Sequence, residues 1–341
     1  MRSQQRARMR RFLYSFSTLW ILLFIILVLA VMNPSFLRLS NLSTFVTQAC
    51  FLFLLGAAEL VVILTGGIDL SIGAVMTIST IICGNLMTQK SGVPFIVPIL
   101  LVLLICAAIG MCNGLLVTKL KIPAFLATFA TMYICRGGAW LYIGAGVYFS
   151  LNSTLRFLAT GELFSLGGFR VTMPMVIVLL LAILLHLLLK KTNWGKRLFF
   201  TGANRTAAKF TGIQTEFKII QAHILCSVIA GIAAIMYVSK LNAIDATLGA
   251  SYHFDGLTVA LIGGAVMSGG EGSIFGVMMG ALIVSAINSG LNFLAVPTEL
   301  QKAVLGVAMI AAVFLNQFLQ RKKLAVADAI FETSTEEKAT K

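Results

Sequence analysis

The sequence predicts an all-α integral membrane protein with about ten transmembrane helices, some of them broken at glycine-rich motifs. Apolar residues make up 59% of the 341 positions and charged residues only 11%, whereas soluble domains are roughly 25% charged. A helix crosses the hydrocarbon core of a bilayer with roughly 20 apolar residues, so the chain has material for about ten crossings. This balance excludes a water-soluble fold and leaves no sizeable soluble domain.

The apolar runs define the predicted spans in chain order. They lie near residues 12–32, 44–65, 71–88, 94–118, 122–143, 172–189, 219–240, 257–268, 274–296 and 300–319. The first run follows a basic N-terminus and superficially resembles a secretory signal. However, it is long, and Met32-Asn33-Pro34 is not a small-residue processing site. We therefore predict an uncleaved first span.

Lysine and arginine are distributed unevenly between these spans, and cytoplasmic loops hold the excess of such residues. The segments assigned to the cytoplasm carry Arg2 to Arg11, Lys119, Lys121, Lys190, Lys191, Lys196, Arg197, Arg205, Lys209, Lys218, Arg321, Lys322, Lys323, Lys338 and Lys341. The segments assigned outside carry only Arg38, Lys90, Arg156 and Arg170. Ten crossings place both termini on one side, and the charge bias makes that side cytoplasmic.

The predicted organisation is a single membrane domain with short polar ends. A cytoplasmic basic N-terminus (1–11) precedes the transmembrane domain (12–319), whose cytoplasmic loop spans about 190–218, and a cytoplasmic tail (320–341) follows. The net charge of +14 follows from this topology. Because the basic residues do not form one face, no nucleic-acid partner is predicted, whereas membrane lipid is.

Two glycine-rich motifs, Thr65 to Met76 and Ser268 to Met278, interrupt the apolar pattern in the two halves of the chain. Each contains a glycine pair, an acid, a serine and a further glycine. Paired interruptions of this kind indicate broken helices around a translocation path. We therefore assign the following residues to that path: Gly66, Gly67, Asp69, Ser71, Glu271 and Ser273.

Simpler roles for these polar residues stay open. Asp69 or Ser71 could cap the span that follows, and the glycines beside Glu271 favour a turn as strongly as a site. Glu59, inside an apolar run, suits a proton relay, but it also suits a polar cavity or a pairing with a residue such as Arg136. His186 and His223 stand alone near span ends and are predicted to be interfacial. The sequence predicts neither a metal site nor a catalytic residue.

The loop from Gly195 to Lys218 contains a predicted short helix. Asn204 suits the cap at its start and Gly212 suits its end, which places small residues close together on one face. The residues predicted to couple this chain to a partner protein are Gly202, Asn204, Ala207, Ala208 and Gly212. We call residues 202–212 the coupling segment. The alternative is a basic loop held at the lipid headgroups.

Five segments together resemble the membrane permeases of ribose-type ABC importers for monosaccharides, in the wider superfamily of branched-chain amino acid and sugar permeases. They are residues 64–73, 113–117, 121–128, 202–213 and 261–276. The resemblance implies a bacterial inner-membrane permease that works as a homodimer or heterodimer and carries Asn113 in its path. It further implies an ATPase bound to the coupling segment and an external solute-binding protein. Glu59 and Glu271 depart from the family pattern.

The chain has no Gly-x-x-x-x-Gly-Lys-Ser/Thr phosphate loop. ATP and Mg²⁺ are therefore expected in a partner ATPase, and no cofactor is expected in this chain. The predicted function is import of a monosaccharide, a pentose or hexose such as ribose. Autoinducer-2 or a polyol is an alternative solute. A proton-coupled carrier using Glu59 or Asp69 is a further alternative, and a membrane-embedded enzyme is the least supported.

Overall fold

The computed structural model describes residues 17–86, 93–144, 148–149, 153–244, 247, 249 and 252–314, and helices dominate them. The elements in chain order are α1 (Ser17–Met32), a 3-10 turn (Pro34–Leu37), α2 (Leu39–Ile63), α3 (Ile72–Leu86), α4 (Ile96–Thr118), α5 (Ala124–Ile143), β1 (Tyr148–Phe149), α6 (Ser153–Thr160), β2 (Glu162–Leu166), β3 (Phe169–Thr172), α7 (Met173–Lys191), α8 (Asn193–Ala203), α9 (Arg205–Phe210), α10 (Thr215–Leu241), β4 (Ala243–Ile244), α11 (Tyr252–Ile262) and α12 (Ile274–Phe293). Residues 298–314 form a further helix, α13.

The predicted all-α membrane fold is confirmed. Among the described residues, five helices are long and apolar enough to cross a membrane: α2, α4, α7, α10 and α12. The remaining predicted spans overlap α1, α3, α5, α11 and α13, although the bounds of α11 differ. The terminal segments 1–11 and 320–341, with the outer ends of the first and last predicted spans, lie outside the described residues.

The eighth predicted span, 257–268, is wrong in its bounds. The helix there is α11, which begins at Tyr252 and has 11 residues. At 1.5 Å per residue this is about 16 Å, roughly half the thickness of the hydrocarbon core. The chain leaves the helix because Gly264 and Gly269 have positive φ angles of 87° and 88°. The predicted break at the second glycine motif therefore occurs, but it starts earlier than the apolar residues suggested.

Helix α2 forms the centre of the molecule. Its residues from Leu52 onward, together with Leu64, are buried, and the helix packs against α10, α11 and α12. In contrast, α4 and α7 expose bulky apolar side chains such as Leu104 and Leu184. Such faces suit contact with lipid, because lipid tails are as apolar as leucine.

The loops between these helices gather at two opposite ends. At one end, Lys119 after α4 lies 3.4 Å from Glu216 at the start of α10. At the other end, β1 pairs with β4 in an antiparallel ladder, and Ser43 near the start of α2 donates to the Arg170 carbonyl of β3 (2.5 Å). We call these the α9 end and the hairpin end. Loops that follow one another along the chain tend to lie at opposite ends, as expected of consecutive membrane crossings.

Helices α11 and α12 approach each other through glycines. A Cβ at Gly263 would lie 2.6 Å from the Gly276 carbonyl oxygen, far inside contact distance. Small residues at helix crossings allow this approach of backbones in membranes. The half-length helix α11 is therefore held by backbone contact with α12, in addition to the packing of its buried side chains such as Val259.

We expect reporter fusions after Lys209 and after Gly161 to report opposite compartments, because these sites lie at opposite ends of the helices. Alkaline phosphatase should be active only after Gly161 and green fluorescent protein fluorescent only after Lys209, if the charge bias sets the orientation. The same compartment for both fusions contradicts the fold, whereas a clean reversal contradicts only the orientation.

We expect Gly263→Val to destabilise the protein by about 1–3 kcal/mol, the usual cost of overpacking, because the obstructing atoms belong to the backbone of α12. Gly137→Val is the matched control, since a Cβ at helical Gly137 meets no atom within 4 Å. Thermal unfolding in detergent measures both. Equal melting temperatures for the two variants would show that the α11–α12 contact is not tight.

Candidate functional site

A buried carboxylate occupies the loop between α2 and α3. Asp69 is fully buried, and its Oδ1 accepts hydrogen bonds from the Ser71 amide (2.9 Å) and the Ser71 hydroxyl (2.5 Å). Its other oxygen, Oδ2, lies 2.9 Å from Nδ1 of His223 on α10. Asp69 therefore does more than cap α3, since it also binds a helix far away in sequence.

The hydrogen bonds continue from Ser71 into two further helices. The Ser71 hydroxyl accepts from Nδ2 of Asn113 on α4 (2.9 Å), and Oδ1 of Asn113 accepts from the hydroxyl of Thr131 on α5 (2.6 Å). The Leu70 amide donates to the Thr128 hydroxyl, also on α5 (3.0 Å). This chain of bonds ties the start of α3 to α4, α5 and α10.

The prediction that His223 is interfacial is wrong. The side chain is fully buried inside α10 and forms an ion pair with Asp69 when it is protonated. A buried carboxylate is costly unless it is paired and hydrogen-bonded, and both conditions are met here. The two residues are 154 positions apart, so no local pattern in the sequence could reveal the pair.

Glu59 joins the same cluster from α2. Its Oε1 accepts a hydrogen bond from the Asp69 amide (3.1 Å), so the cluster, rather than Arg136, is its partner. Oε2 of Glu59 and Nε2 of His223 are buried polar atoms without a hydrogen-bond partner among the described residues. We call Glu59, Asp69, Ser71, Asn113 and His223 the polar cluster.

A cavity of about 510 Å³ lies beside the polar cluster at the α9 end. Its lining includes Gly66 and Gly67 of the first motif, His223 of the cluster and the charged residues Lys121, Arg205, Lys209 and Glu216. The two parts of the first motif thus have different environments. Its glycine pair lines the cavity, whereas Asp69 and Ser71 are fully buried.

The second motif has a different environment. Glu271 is exposed, whereas Asp69 is fully buried. The Ser273 hydroxyl accepts from the Gly276 amide (3.0 Å) and so caps α12. The motif meets the first one through the backbone, since the Gly270 amide donates to the Leu64 carbonyl (3.1 Å). The two acids are therefore not structural equivalents, although the motifs adjoin.

The predicted short helix of the coupling segment is present as α9. Oδ1 of Asn204 accepts from the Ala207 amide (2.9 Å), and Gly212 follows the helix with a φ of 79°. Gly202 has no room for a side chain, because a Cβ there would overlap the Leu64 carbonyl oxygen. The coupling segment thus packs directly on the end of α2 and on the second glycine motif.

The two alanines of α9 differ in exposure but line the same groove. Ala207 is exposed, whereas only 4% of Ala208 is, and both line a groove of about 540 Å³ on the coupling segment. Two aromatic residues that the sequence reasoning missed are more prominent, Phe200 at 61% and Phe210 at 89% exposure. Bulky apolar residues in an otherwise polar loop were the available signal.

A larger cavity of about 760 Å³ opens among α2, α5, α6, α7, α10, α11, α12 and α13. One wall is an aromatic cluster in which Phe51 stacks on Tyr237 with ring centroids 5.0 Å apart. Tyr252 packs edge-on against Phe51 and donates to the Tyr237 hydroxyl (2.9 Å). The wall lies toward the hairpin end, because Tyr237 is near the end of α10 that leads to β4. The sequence reasoning missed this cavity, whose described lining residues come from eight separate helices.

Neither cavity has the residues for a catalytic metal. Among the described residues, no group of three or more His, Cys, Asp or Glu side chains is placed to hold a metal ion. What the arrangement does provide is two cavities near opposite ends of one helical body, with the polar cluster beside the smaller one.

Comparison with known proteins gives a consistent family. The ribose import permease protein RbsC of Bacillus subtilis (strain 168) is 34% identical over 304 residues, covering 89% of this chain and 92% of that protein. The D-allose transport system permease protein AlsC of Escherichia coli (strain K12) is 30% identical over 308 residues, covering 90% and 92%. The fructose import permease protein FrcC of Rhizobium meliloti is 30% identical over 296 residues, covering 85% and 81%.

No solved structure matches the chain. A family model described as branched-chain amino acid transport system / permease component matches residues 41–313. The match runs from α2 to α13, and so it includes the polar cluster, the coupling segment and both cavities. The chain therefore belongs to this family of membrane permease components.

Proposed function

We propose that this chain is the transmembrane permease subunit of an ATP-binding cassette importer that carries a monosaccharide into the cytoplasm. The observation that carries the proposal is the similarity over nearly the whole chain to permeases named for ribose, allose and fructose import. The chain performs no chemistry on the solute. It resides in the bacterial cytoplasmic membrane with both termini inside, and a second permease copy completes the path.

Two partners share the work in this proposal. A cytoplasmic ATPase, which uses ATP and Mg²⁺, binds the coupling segment, and an extracytoplasmic solute-binding protein delivers the sugar to the hairpin end. Autoinducer-2 or a polyol fits the same arrangement as solute. The full-length similarity to import permeases favours this reading over a self-sufficient proton-coupled carrier.

The positions of the two cavities support alternating access. Tyr237 in the wall of the larger cavity lies about 21 Å along α10 from His223 beside the smaller one, at about 1.5 Å per residue. The packed interior of α2, α10 and α11 separates the cavities. A solute entering at the hairpin end therefore meets closed protein before it can reach the α9 end.

The polar cluster is suited to hold that closed state. Its bonds fix the loop after α2 to three other helices, and buried polar contacts are directional, so a small shift breaks them rather than stretching them. We infer that Gly66, Gly67, Asp69, Ser71 and Asn113 line or gate the path. Glu271 and Ser273 contribute to its α9 end through the second motif.

The coupling segment is suited to pass ATPase motion to this gate. Gly202 and Ala203, the last residues of α8, touch the backbone of Leu64, next to the first glycine motif, and of Gly270, within the second. Phe210 projects from α9, which follows α8 after Asn204. A partner that binds Phe210 and Ala207 is thus connected to the gate through Asn204 and the end of α8.

We expect Asp69→Asn to lower sugar uptake by about tenfold or more, because the buried ring nitrogen of His223 loses its carboxylate partner. Insertion should persist. Uptake of labelled D-ribose, D-allose or D-fructose, whichever the wild-type transporter imports, is compared at equal membrane levels. The double variant Asp69→Asn with His223→Asn should lose little more than either single variant, since paired residues are not additive. Full uptake by well-inserted Asp69→Asn would leave Asp69 as a cap only.

We expect Phe210→Ser to reduce co-purification of the ATPase, because interface anchors of aromatic type often contribute 2 kcal/mol or more. Ala207→Arg should act in the same direction by adding bulk and charge. The matched control is Phe164→Ser, since Phe164 is an exposed phenylalanine at the hairpin end (52%). Undiminished ATPase binding by both α9 variants would favour the alternative of a basic loop at the headgroups.

A further inference from the structure

The larger cavity has the composition of a solute site and carries an excess of positive charge. We propose that it binds a monosaccharide-sized solute bearing a negative charge, a carboxylate or a phosphate. The inference rests on the proposed function, and it narrows the solute class from sugars in general to sugars with an acidic group.

The size and the aromatic wall suit a small ring. The cavity of about 760 Å³ falls within the range of roughly 300–1,000 Å³ usual for small-molecule sites. The rings of Phe51, Tyr237 and Tyr252 pack together and present a rigid apolar surface. Such a wall orients a flat ligand at small entropic cost, because aromatic side chains have few rotatable bonds.

Amide side chains provide the polar contacts that hydroxyl groups need. Gln48, Asn288, Asn292 and Gln301 line the same cavity. Nε2 of Gln301 donates to Oδ1 of Asn292 (2.9 Å) and to the Val296 carbonyl (2.8 Å), which fixes the orientation of both amides. Gln301 then offers its Oε1 acceptor and Asn292 its Nδ2 donors, so together they can bond to hydroxyl groups in either direction.

Charge distinguishes this cavity from one built for a neutral sugar. Arg136, Lys240 and Lys302 contribute cations to the lining, whereas Asp255 is the one carboxylate among the described lining residues. A cation within a membrane-spanning helix, as Arg136 is in α5, is costly and usually marks an ion or substrate pathway. A neutral sugar can accept hydrogen bonds from these groups, but an anionic sugar is in addition attracted before it binds and is held by charge-assisted hydrogen bonds afterwards.

The three cations differ in exposure. Arg136 is half-buried in α5, while Lys240 and Lys302 are exposed near the hairpin-end termini of α10 and α13. The lysines can therefore draw an anion into the opening. The planar guanidinium of Arg136 can hold a carboxylate or phosphate with two parallel hydrogen bonds.

The test measures binding by the full-length chain alone, in nanodiscs of zwitterionic phosphatidylcholine. Saturation-transfer NMR compares D-glucuronate with D-glucose, and D-ribose 5-phosphate with D-ribose. At low salt we expect at least one anionic sugar to bind about tenfold more tightly than its neutral counterpart, with the preference reduced at high salt. The two pairs distinguish a carboxylate from a phosphate ligand.

Charge variants then locate the site. Lys240→Met and Lys302→Met should each weaken binding of the preferred anionic sugar by about fivefold, as expected for a partly exposed ion pair. Asp255→Asn should strengthen binding by a similar factor, a gain that misfolding cannot produce. Lys191→Met, at the opposite end of the molecule on α7, is the control and should leave binding unchanged.

Equal binding of anionic and neutral sugars, binding of neutral sugars alone, or no binding of either anionic sugar overturns the proposal. The lysines would then serve the lipid headgroups or an acidic surface of the binding protein. None of these results affects the proposed function, which is read separately from ATPase co-purification and sugar uptake. Failure of uptake of the preferred anionic sugar as well as of neutral sugars, with retained anion preference in binding, would instead contradict the proposed function and leave the site standing.

Discussion

The contact between Asp69 and His223 joins two parts of the chain that would otherwise be free to separate. Asp69 sits in an irregular loop at membrane depth, where backbone groups lack the bonds that a helix supplies. His223 lies in α10, the longest helix in the described part of the chain. Their 2.9 Å contact, extended through Ser71 and Asn113, holds the loop in the interior. The packing of α3 against α4, α5 and α10 depends on the loop staying there.

This arrangement explains the use of two glycine motifs with different polar residues. The first motif must bring an acid into the interior, and so its glycines form the edge of a cavity while Asp69 turns inward. The second motif must let the backbones of Leu64, Gly202 and Gly270 meet. Its glycines therefore matter more than Glu271, which stays exposed. The motifs resemble each other in sequence because both break a helix, and they differ in structure because the breaks have different tasks.

Most of the fold could be predicted from the sequence, because long apolar runs report membrane helices directly. Helix α11 was misplaced because the residues after Gly263 remain apolar although the backbone turns away from the helix. The site was predicted in part. Asp69 and Asn204 stand out by local chemistry, as an acid in an apolar setting and a cap before a small-faced helix. His223 and the larger cavity depend on contacts between distant segments, and periodicity and composition carry no record of such contacts.

The burial of Ala208 and the exposure of Phe210 show the limit of helical-wheel reasoning on a short helix. Small residues at α9 could equally mean room for a partner or room for the protein's own chain, and Ala208 has both settings, since it is only 4% exposed and yet lines a groove with Ala207. The N-cap Asn204 fixes where the helix begins, and so which of its residues face the rest of the protein. Once that start is fixed, Ala208 faces inward and Phe210 faces outward.

The contact of Gly202 and Ala203 with Leu64 and Gly270 has a mechanical consequence. Side chains between two elements act as compliant spacers, because they can change rotamer and absorb a displacement of an ångström or so. Here backbone meets backbone, since a Cβ at Gly202 would overlap the Leu64 carbonyl oxygen. Gly202 and Ala203 are the last residues of α8, so a displacement of that helix end is passed to the end of α2 with little of it absorbed by intervening side chains.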